Sequence, residues 1–258
     1  MRVLNKGHQD AFSIARQNGC EIEEIWDATL DGRTRPSHGL LDGKAKDVEH
    51  DGWYVEELGM YVKGPLQSGV ASFDINCRCR ISCRVKGVED TDRRIRGEGI
   101  QNYKTYNDWI EAKASNGSTG DKHLERKVAE YHMYKMKHMQ DRFIKIDADG
   151  KLNGYSLNPT HPKGGDKANV FMAAFGYEQG DGALLEAEIR KNIKHAEIIT
   201  KDKDLYGRRY RAYIPITGKN GHRETIEVGF VVDSINAPKP IFGKARLTTA
   251  FLGGKKRK

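Results

Sequence analysis

The sequence reads Trp26-Asp27-Ala28-Thr29-Leu30-Asp31-Gly32-Arg33-Thr34-Arg35-Pro36-Ser37-His38, then Leu41-Asp42-Gly43, and later Asn76-Cys77-Arg78-Cys79-Arg80. Asp-Gly pairs favour turns, because Asp bonds its own backbone and Gly accepts a positive φ. These stretches therefore predict short strands and turns, with Asp42-Gly43 suited to a two-residue hairpin loop. Side chains of an extended chain alternate between two faces, so both cysteines of residues 76–80 are expected to share one face.

His38, Cys77 and Cys79 form a candidate site for a structural zinc ion, with Cys83 or Cys20 as a fourth ligand. Imidazole nitrogen and thiolate sulfur are ligands that zinc prefers, but the Cys-x-Cys spacing differs from the Cys-x-x-Cys of common zinc knuckles. The alternative is that the cysteines are small buried hydrophobic residues of a reduced protein. Spacing alone leaves both interpretations open.

The order of these elements resembles the phage head morphogenesis family, the Mu F-like minor capsid proteins. The family signature combines Trp, Leu-Asp-x-Arg-Thr-Arg, His, Asp-Gly and a distant Asn-Cys-Arg-Cys, and all of these elements occur here within residues 8–85. The resemblance implies a minor capsid protein with the portal or other head proteins as partners, in the bacterial cytoplasm or the virion. The family's longer helical region before the signature is almost absent here, so the resemblance predicts an N-terminally truncated module.

Composition and charge divide the chain unevenly. It has 258 residues, of which 37% are hydrophobic and 31% charged, and this predicts one large or two ordinary domains. No apolar run of about 18 residues occurs, so we expect no transmembrane helix and no membrane partner. Residues 1–150 carry 24 Lys+Arg and 25 Asp+Glu, whereas residues 151–258 carry 20 and 11, a net charge of +9. The excess predicts RNA or DNA as a partner of the C-terminal part, the alternative being a solvated basic surface.

We predict three segments: a Mu F-like module over residues 1–113, a linker and helix over 114–150, and a basic domain over 151–258. The remaining local predictions follow from apolar periodicity and turn residues. They are a helix over residues 6–18 with Phe12, Ile14 and Ala15 on its apolar side, an exposed connector over 86–102, an aromatic helix over 103–111, a flexible linker over 114–121, a long helix over 121–143 with solvated His132 and His138, and a linker turn over 147–154.

The C-terminal segment predicts an α+β fold with two helices and an antiparallel sheet. Gly164-Gly165-Asp166 opens the first helix and Gly176 ends it, with Ala168, Phe171, Met172 and Phe175 as its apolar stripe. Asp181 can cap the second helix, whose apolar residues are Leu185, Ile189 and Ile193. Alternating strands follow at residues 210–216, 226–232 and 247–251, with Asn220-Gly221 in a turn.

The candidate catalytic loop runs from Asn158 to Lys167. His161 can act as general base or acid, and Lys163 and Lys167 can neutralise a phosphate. Thr248 or its neighbour Thr249 can donate to a phosphoryl oxygen. We assign nucleic-acid binding to Arg208, Arg209, Tyr210 and Arg246. These groups suit RNA cleavage without a catalytic metal or cofactor, whereas the alternative is a structural turn with solvated lysines.

The C-terminal segment also resembles the toxin-tip domains that end many bacterial polymorphic toxins, similar to the barnase–EndoU–colicin–RelE ribonuclease group. The matching residues are Tyr155-Ser156-Leu157-Asn158-Pro159-Thr160-His161-Pro162-Lys163-Gly164, Tyr206-Gly207-Arg208-Arg209-Tyr210 and Arg246-Leu247-Thr248-Thr249-Ala250-Phe251. This resemblance implies an endoribonuclease, an acidic immunity protein as a partner, and delivery into a target cell. The alternatives are a purely structural minor head protein whose basic domain binds DNA, and a toxin of another chemistry, such as a transferase acting on nucleotides.

Overall fold

The computed structural model describes residues 2–88, 92–95, 97–115, 121–204, 206–234, 237–238, 240–241 and 243–253. The chain forms two compact units, Met1–Val128 and Ala129–Lys258. No helix among the described residues has the length and apolar character needed to cross a bilayer.

The first unit consists of short elements. Its helices are α1 (Arg2–Gln17), α2 (Pro36–Leu41), α3 (Ala71–Asp74) and α4 (Tyr106–Ser115). Its strands are β1 (Ile22–Asp27), β2 (Trp53–Val55), β3 (Met60–Val62), β4 (Arg80–Val85), β5 (Asp92–Ile95) and β6 (Gly99–Asn102). They pair as β1–β4, β2–β3 and β5–β6, each antiparallel. Helix α5 (Lys122–His138) crosses the boundary between the two units.

The core of the first unit forms around Trp26, Trp53 and Phe73. The predicted N-terminal helix is confirmed as α1, but its apolar side is only partly right. Phe12 packs against the core, whereas Ile14 is 59% exposed. The prediction of strands and turns missed α2, which begins at Pro36 because proline suits the first helical position.

Asp42 does not form the predicted hairpin loop. It ends α2, and its carboxylate is 1% exposed. Oδ1 accepts the backbone N–H of Ala28 at 2.6 Å, and Oδ2 accepts that of Tyr106 at 2.5 Å. Arg93 of β5 donates to the same Oδ2 at 2.5 Å and also pairs with Asp27. The segment predicted as an exposed connector therefore supplies a half-buried cation that joins β1 to the end of α2, and the Asp42 carboxylate extends the junction to α4.

The aromatic helix predicted after the connector is confirmed as α4, with Tyr106 and Trp109 buried. Residues 116–120 of the predicted linker lie outside the described residues. Residues 129–150, which we assigned to a linker and helix, contribute Met136 and Phe143 to the core of the second unit.

The second unit is a five-stranded sheet with helices on one face. Its helices are α6 (Gln140–Phe143), the π-helix Ala148–Ser156, α7 (Gly165–Phe175), α8 (Gly182–Asn192) and the 3₁₀ turn Ile193–His195. Its strands are β7 (Ile144–Lys145), β8 (Glu197–Asp204), β9 (Gly207–Thr217), β10 (Arg223–Asp233) and β11 (Ala245–Phe251). The order is β7-β11-β10-β9-β8, with only β7–β11 parallel. The predicted α+β fold class is confirmed.

Three local predictions fail near the start of the second unit. The long helix breaks at Met139 into α5 and α6. His132, predicted to be solvated, is 2% exposed, and its Nδ1 lies 2.7 Å from the hydroxyl of Tyr210. The predicted linker turn is the π-helix, in which Leu152 is fully buried and Asn153 accepts the backbone N–H of Gly182. Packing against α8 therefore orders a segment that turn residues alone predict to be a loop.

The core of the second unit lies between the helices and one sheet face. The periodic residues Leu185, Ile189 and Ile193 are fully buried as predicted, and Gly176 ends α7 with a φ of 70°. Met172 does not belong to the buried stripe, because it is 58% exposed. A bulge interrupts the β10–β11 register beside Gly229, so β11 alternates out of step with the sequence prediction. Ala245, Leu247 and Ala250 face the core, and Thr249 and Phe251 face the opposite side.

Candidate functional site

Each unit contains a group of side chains that could bind a ligand or take part in catalysis. In the first unit, His38 of α2 meets Cys77 and Cys79, which precede β4. His38 Nδ1 lies 3.5 Å from Cys77 Sγ and 3.4 Å from Cys79 Sγ, and all three residues are buried. These are the residues that the sequence proposed as zinc ligands, and the two cysteines share one face as predicted. Cys20 and Cys83, the suggested fourth ligands, are exposed and stand outside the group.

The two thiols of this group have unequal acidities. Hydrogen bonding with Cys79 and with His38 lowers the pKa of Cys77 to about 4, against the opposing effect of burial. Hydrogen bonding to Cys77, together with burial, raises the pKa of Cys79. One imidazole nitrogen and two sulfurs therefore converge in a buried group with the donor set of a zinc centre.

In the second unit, Lys167 is the centre of the other group. It lies in the first turn of α7, and its Nζ donates to the hydroxyl of Tyr155 at 3.0 Å and to Oγ1 of Thr249 at 2.9 Å. The ammonium also lies 4.5 Å from the ring centroid of Tyr155 and 5.4 Å from that of Phe251. One cation is thus held between the π-helix and the open face of β11 by two hydroxyl groups and two aromatic rings.

His161 joins this group through Tyr155, since their ring centroids lie 4.8 Å apart in an edge-to-face arrangement. Nδ1 of His161 accepts the backbone N–H groups of Lys163 and Gly164, each at 3.1 Å. The Nδ1 lone pair is therefore engaged by the turn, which leaves Nε2 as the ring nitrogen available to a ligand. The acid or base role of His161 stays a prediction.

A carboxylate that sequence reasoning missed lies beside the same group. Glu227 of β10 is 7% exposed, and its Oε1 accepts Nε of Arg211 at 2.5 Å. It alternates with the core-facing residues of β10 and pairs in register with Phe251, the ring that Lys167 contacts. Phe251 therefore connects the two groups, because it contacts Lys167 and stands opposite Glu227, which pairs with Arg211. The sequence signal was a single acidic residue among the alternating apolar residues of a strand, which has no functional meaning until the strands are paired.

Gly229 leaves space on this face of the sheet because it has no side chain. Gly229 follows Glu227 by one step on the same face, opposite Thr249. A Cβ atom at Gly229 would lie 2.8 Å from Oγ1 of Thr248 and 3.1 Å from Cγ2 of Thr249. A side chain at this position would therefore push β11 away, and its absence leaves the two threonine hydroxyls close to the sheet surface.

Two known families match separate parts of the chain, one within each unit. Residues 1–82 match the family described as Phage Mu protein F like protein. The matched range contains the His38, Cys77 and Cys79 group. The N-terminal unit carries a Mu F-like domain. Residues 137–253 match a domain of unknown function, DUF6883, and this range contains the Lys167 group. The resemblance seen in the N-terminal sequence is thereby confirmed, and the toxin-tip resemblance stays a prediction.

Two curated proteins illustrate the relationship. The minor head protein GP7 of Bacillus phage SPP1 is 31% identical over 96 residues, which cover 36% of this chain and 30% of that protein. The NAD(+)–arginine ADP-ribosyltransferase EFV of Enterococcus faecalis is 35% identical over 102 residues, which cover 39% of this chain and 20% of that protein. The chain therefore spans less than a third of each relative. No solved structure matches it.

The predicted catalytic residues are only partly brought together. His161 and Lys167 meet through Tyr155, as described above. Thr248 occupies the bulge of β11, and it is the neighbouring Thr249 that bonds Lys167. Lys163 is exposed on the turn before α7, where its backbone N–H caps the His161 ring.

The predicted nucleic-acid-binding residues lie elsewhere on the sheet. Tyr210 is 2% exposed in the core, so we leave it out of any contact surface. Arg209 pairs with Asp204 at 2.5 Å, and Arg246 pairs with the fully buried Asp233 carboxylate at 2.9 Å. Arg208 follows the same alternation as Tyr210 and is half-buried.

Proposed function

We propose that this chain is a phage minor head protein whose second unit cleaves RNA without a catalytic metal ion. The Mu F-like domain and the similarity to a minor head protein support the first part. The observation that carries the second part is Lys167, fixed between Tyr155 and Thr249 and in contact with Phe251, which stands opposite the Glu227 of the Glu227–Arg211 pair. A carboxylate, an ammonium, a guanidinium and two hydroxyls on one open sheet face can perform acid–base chemistry on a phosphodiester.

The reaction uses the 2′-hydroxyl of RNA as the nucleophile. Glu227 accepts its proton, the 2′-oxygen forms a bond to phosphorus, and the bond from phosphorus to the 5′-oxygen breaks. Tyr155 gives its phenolic proton to the departing 5′-oxygen, and Lys167 stabilises the phenolate through the bond to the Tyr155 oxygen. Proton exchange with water restores Glu227 and Tyr155. The products are a 2′,3′-cyclic phosphate and a 5′-hydroxyl.

The remaining groups stabilise the charged phosphorus centre. The Lys167 ammonium and the Arg211 guanidinium supply positive charge, and the Thr249 hydroxyl and the Nε2–H of His161 donate to phosphoryl oxygens. Lys163 and the net charge of +9 in residues 151–258 attract the RNA backbone. In this proposal His161 donates a hydrogen bond to the phosphoryl group. Thr249 has the phosphoryl-donor role that we predicted for Thr248 from the sequence.

A cleavage assay on the full chain tests the proposal. We expect the purified protein to cut tRNA, rRNA or mRNA in EDTA and to leave cyclic phosphate ends. The reason is that no three His, Cys, Asp or Glu ligand atoms converge in the described part of the second unit. Intact RNA after incubation with the protein would contradict cleavage, and tight binding of duplex DNA by the same preparation would favour a structural DNA-binding head protein.

ADP-ribosyl transfer is the second candidate, because one relative is named for that activity. The two chemistries differ in their substrate, since a transferase consumes NAD and modifies a protein, whereas the proposed site needs only RNA. Incubation with radiolabelled NAD and a bacterial lysate separates them. Labelled protein in that incubation, with RNA intact in the cleavage assay, would replace our proposal with a transferase.

The Lys167→Met variant tests the central cation. Methionine retains much of the packing against Tyr155 and Phe251 but lacks the charge and the donors, so we expect a loss of about 10²–10³-fold in kcat for RNA cleavage. The matched control is Lys194→Met, which removes an exposed lysine of the same unit and is expected to cleave normally. Equal loss in both variants would mean that net charge, and not this site, is responsible.

The proposed partners follow from the two halves. The Mu F-like domain is expected to bind the portal or other head proteins, which places the chain in the virion or the producing cell. A nuclease of this kind needs an acidic immunity protein that covers the positive sheet face in the cell that makes it. We also propose that the chain is delivered into a target cell, where its second unit cleaves RNA.

A further inference from the structure

The donor atoms of the Mu F-like domain have the spacing of a metal centre. The ligand atoms of His38, Cys77 and Cys79 all lie within 4.8 Å of one another. In a tetrahedral zinc site with Zn–S near 2.3 Å and Zn–N near 2.0–2.1 Å, the N···S edge is about 3.5–3.6 Å. The two N···S separations of 3.5 and 3.4 Å match that edge without rearrangement of the backbone.

The surrounding fold fixes the three donors before any metal binds. The His38 ring packs against Phe73 at 4.2 Å and against Trp26 at 5.7 Å, which aims Nδ1 at the sulfurs. Cys77 and Cys79 are both buried, with the partly exposed Arg78 between them, so the two side chains lie on the same inward face. The α2 segment and the cysteine segment are far apart in sequence, so a shared ligand set joins them.

Both sulfurs lie within reach of one imidazole nitrogen, at 3.5 Å for Cys77 and 3.4 Å for Cys79. Nδ1 of His38 has one lone pair or one proton, so it bonds only one of the two sulfurs directly. A cation between the three atoms satisfies all of them, and two thiolates balance its charge in a buried site. The indole N–H of Trp26, which has no oxygen or nitrogen partner among the described residues, lies beside the Cys79 sulfur, where it can support a bound thiolate.

We propose that His38, Cys77 and Cys79 bind one zinc ion that ties α2 to the start of β4. Two sulfurs and one imidazole nitrogen are a donor set that zinc prefers over the harder cations. Cys20 and Cys83 do not reach the group, so a water molecule takes the fourth position. Zinc here acts as a structural tie within the Mu F-like domain, independent of RNA cleavage by the second unit.

The metal content of the full chain tests this proposal, with the cysteines themselves as controls. Protein expressed with zinc in the medium is expected to carry about one zinc ion per chain by elemental mass spectrometry. Cys77→Ser and Cys79→Ser should lose the metal, whereas the exposed Cys20→Ser and Cys83→Ser should keep it. Wild-type protein without zinc, or with copper in its place, would overturn the proposal, as would equal losses in the Cys79 and Cys83 variants.

A second measurement uses only wild-type protein and so avoids variants that fail to fold. Iodoacetamide should modify Cys20 and Cys83 in the native protein, and Cys77 and Cys79 only after a chelator is added, as mapped by peptide mass spectrometry. Chelation should also change tryptophan fluorescence, since Trp26 lies against the site. An alkylation pattern and fluorescence that do not respond to chelation would overturn the proposal.

Discussion

Glu227→Gln is expected to lower kcat/KM for RNA cleavage by about 10²–10⁴-fold, the usual contribution of a general base. The amide retains the shape of the side chain and can still accept a hydrogen bond from Arg211, but it cannot accept the proton of the 2′-hydroxyl. The loss should therefore appear in kcat, with RNA binding little changed. Initial cleavage rates over a range of RNA concentrations give the result, because they separate kcat from KM.

The matched control for that variant lies three residues earlier on the same strand. Glu224 is exposed on β10, and Glu224→Gln removes the same charge without touching the Lys167 group. It should cleave RNA like the wild type. If Glu227→Gln also cleaves normally, Glu227 is not the base, and the buried Glu227–Arg211 pair serves only to hold β9 against β10.

Asp42→Ala is expected to reduce the free energy of unfolding of the first unit by about 3–5 kcal/mol, the cost of breaking a buried ion pair from one side. The carboxylate accepts Arg93 at 2.5 Å and the backbone N–H groups of Ala28 at 2.6 Å and Tyr106 at 2.5 Å. Burial raises the pKa of Asp42, and the Arg93 guanidinium opposes that effect. Without the carboxylate, a half-buried guanidinium loses one of its two carboxylate partners, and two amides lose their acceptor.

Tryptophan fluorescence during urea unfolding reports this change selectively. All three tryptophans, Trp26, Trp53 and Trp109, belong to the first unit. The control is Glu21→Gln, which breaks an exposed pair with Lys86 at 3.6 Å and should cost at most about 1 kcal/mol. If the urea midpoint of Asp42→Ala equals that of Glu21→Gln, the hydrogen bonds and ion pair of the Asp42 carboxylate add no stability to the unit.

Local sequence patterns were sufficient for several elements of both units. The spacing of Leu185, Ile189 and Ile193 predicted the buried face of α8, and Gly176 predicted the end of α7. The alternation of residues 76–80 predicted that Cys77 and Cys79 share a face. These inferences hold because helix and strand periods are properties of the backbone, which each short segment carries with it.

Tertiary structure alone decided the rest. The bulge beside Gly229 moved Thr249 toward Lys167 in place of Thr248, and strand pairing brought Glu227 and Arg211 to the same face. The local sequence predicts a turn at Asp42. Its buried position depends on Arg93 and Tyr106, which are far from it in sequence. Register and long-range charge pairing depend on which segments meet, and segments far apart in sequence meet through the summed burial of apolar area, which no local pattern encodes.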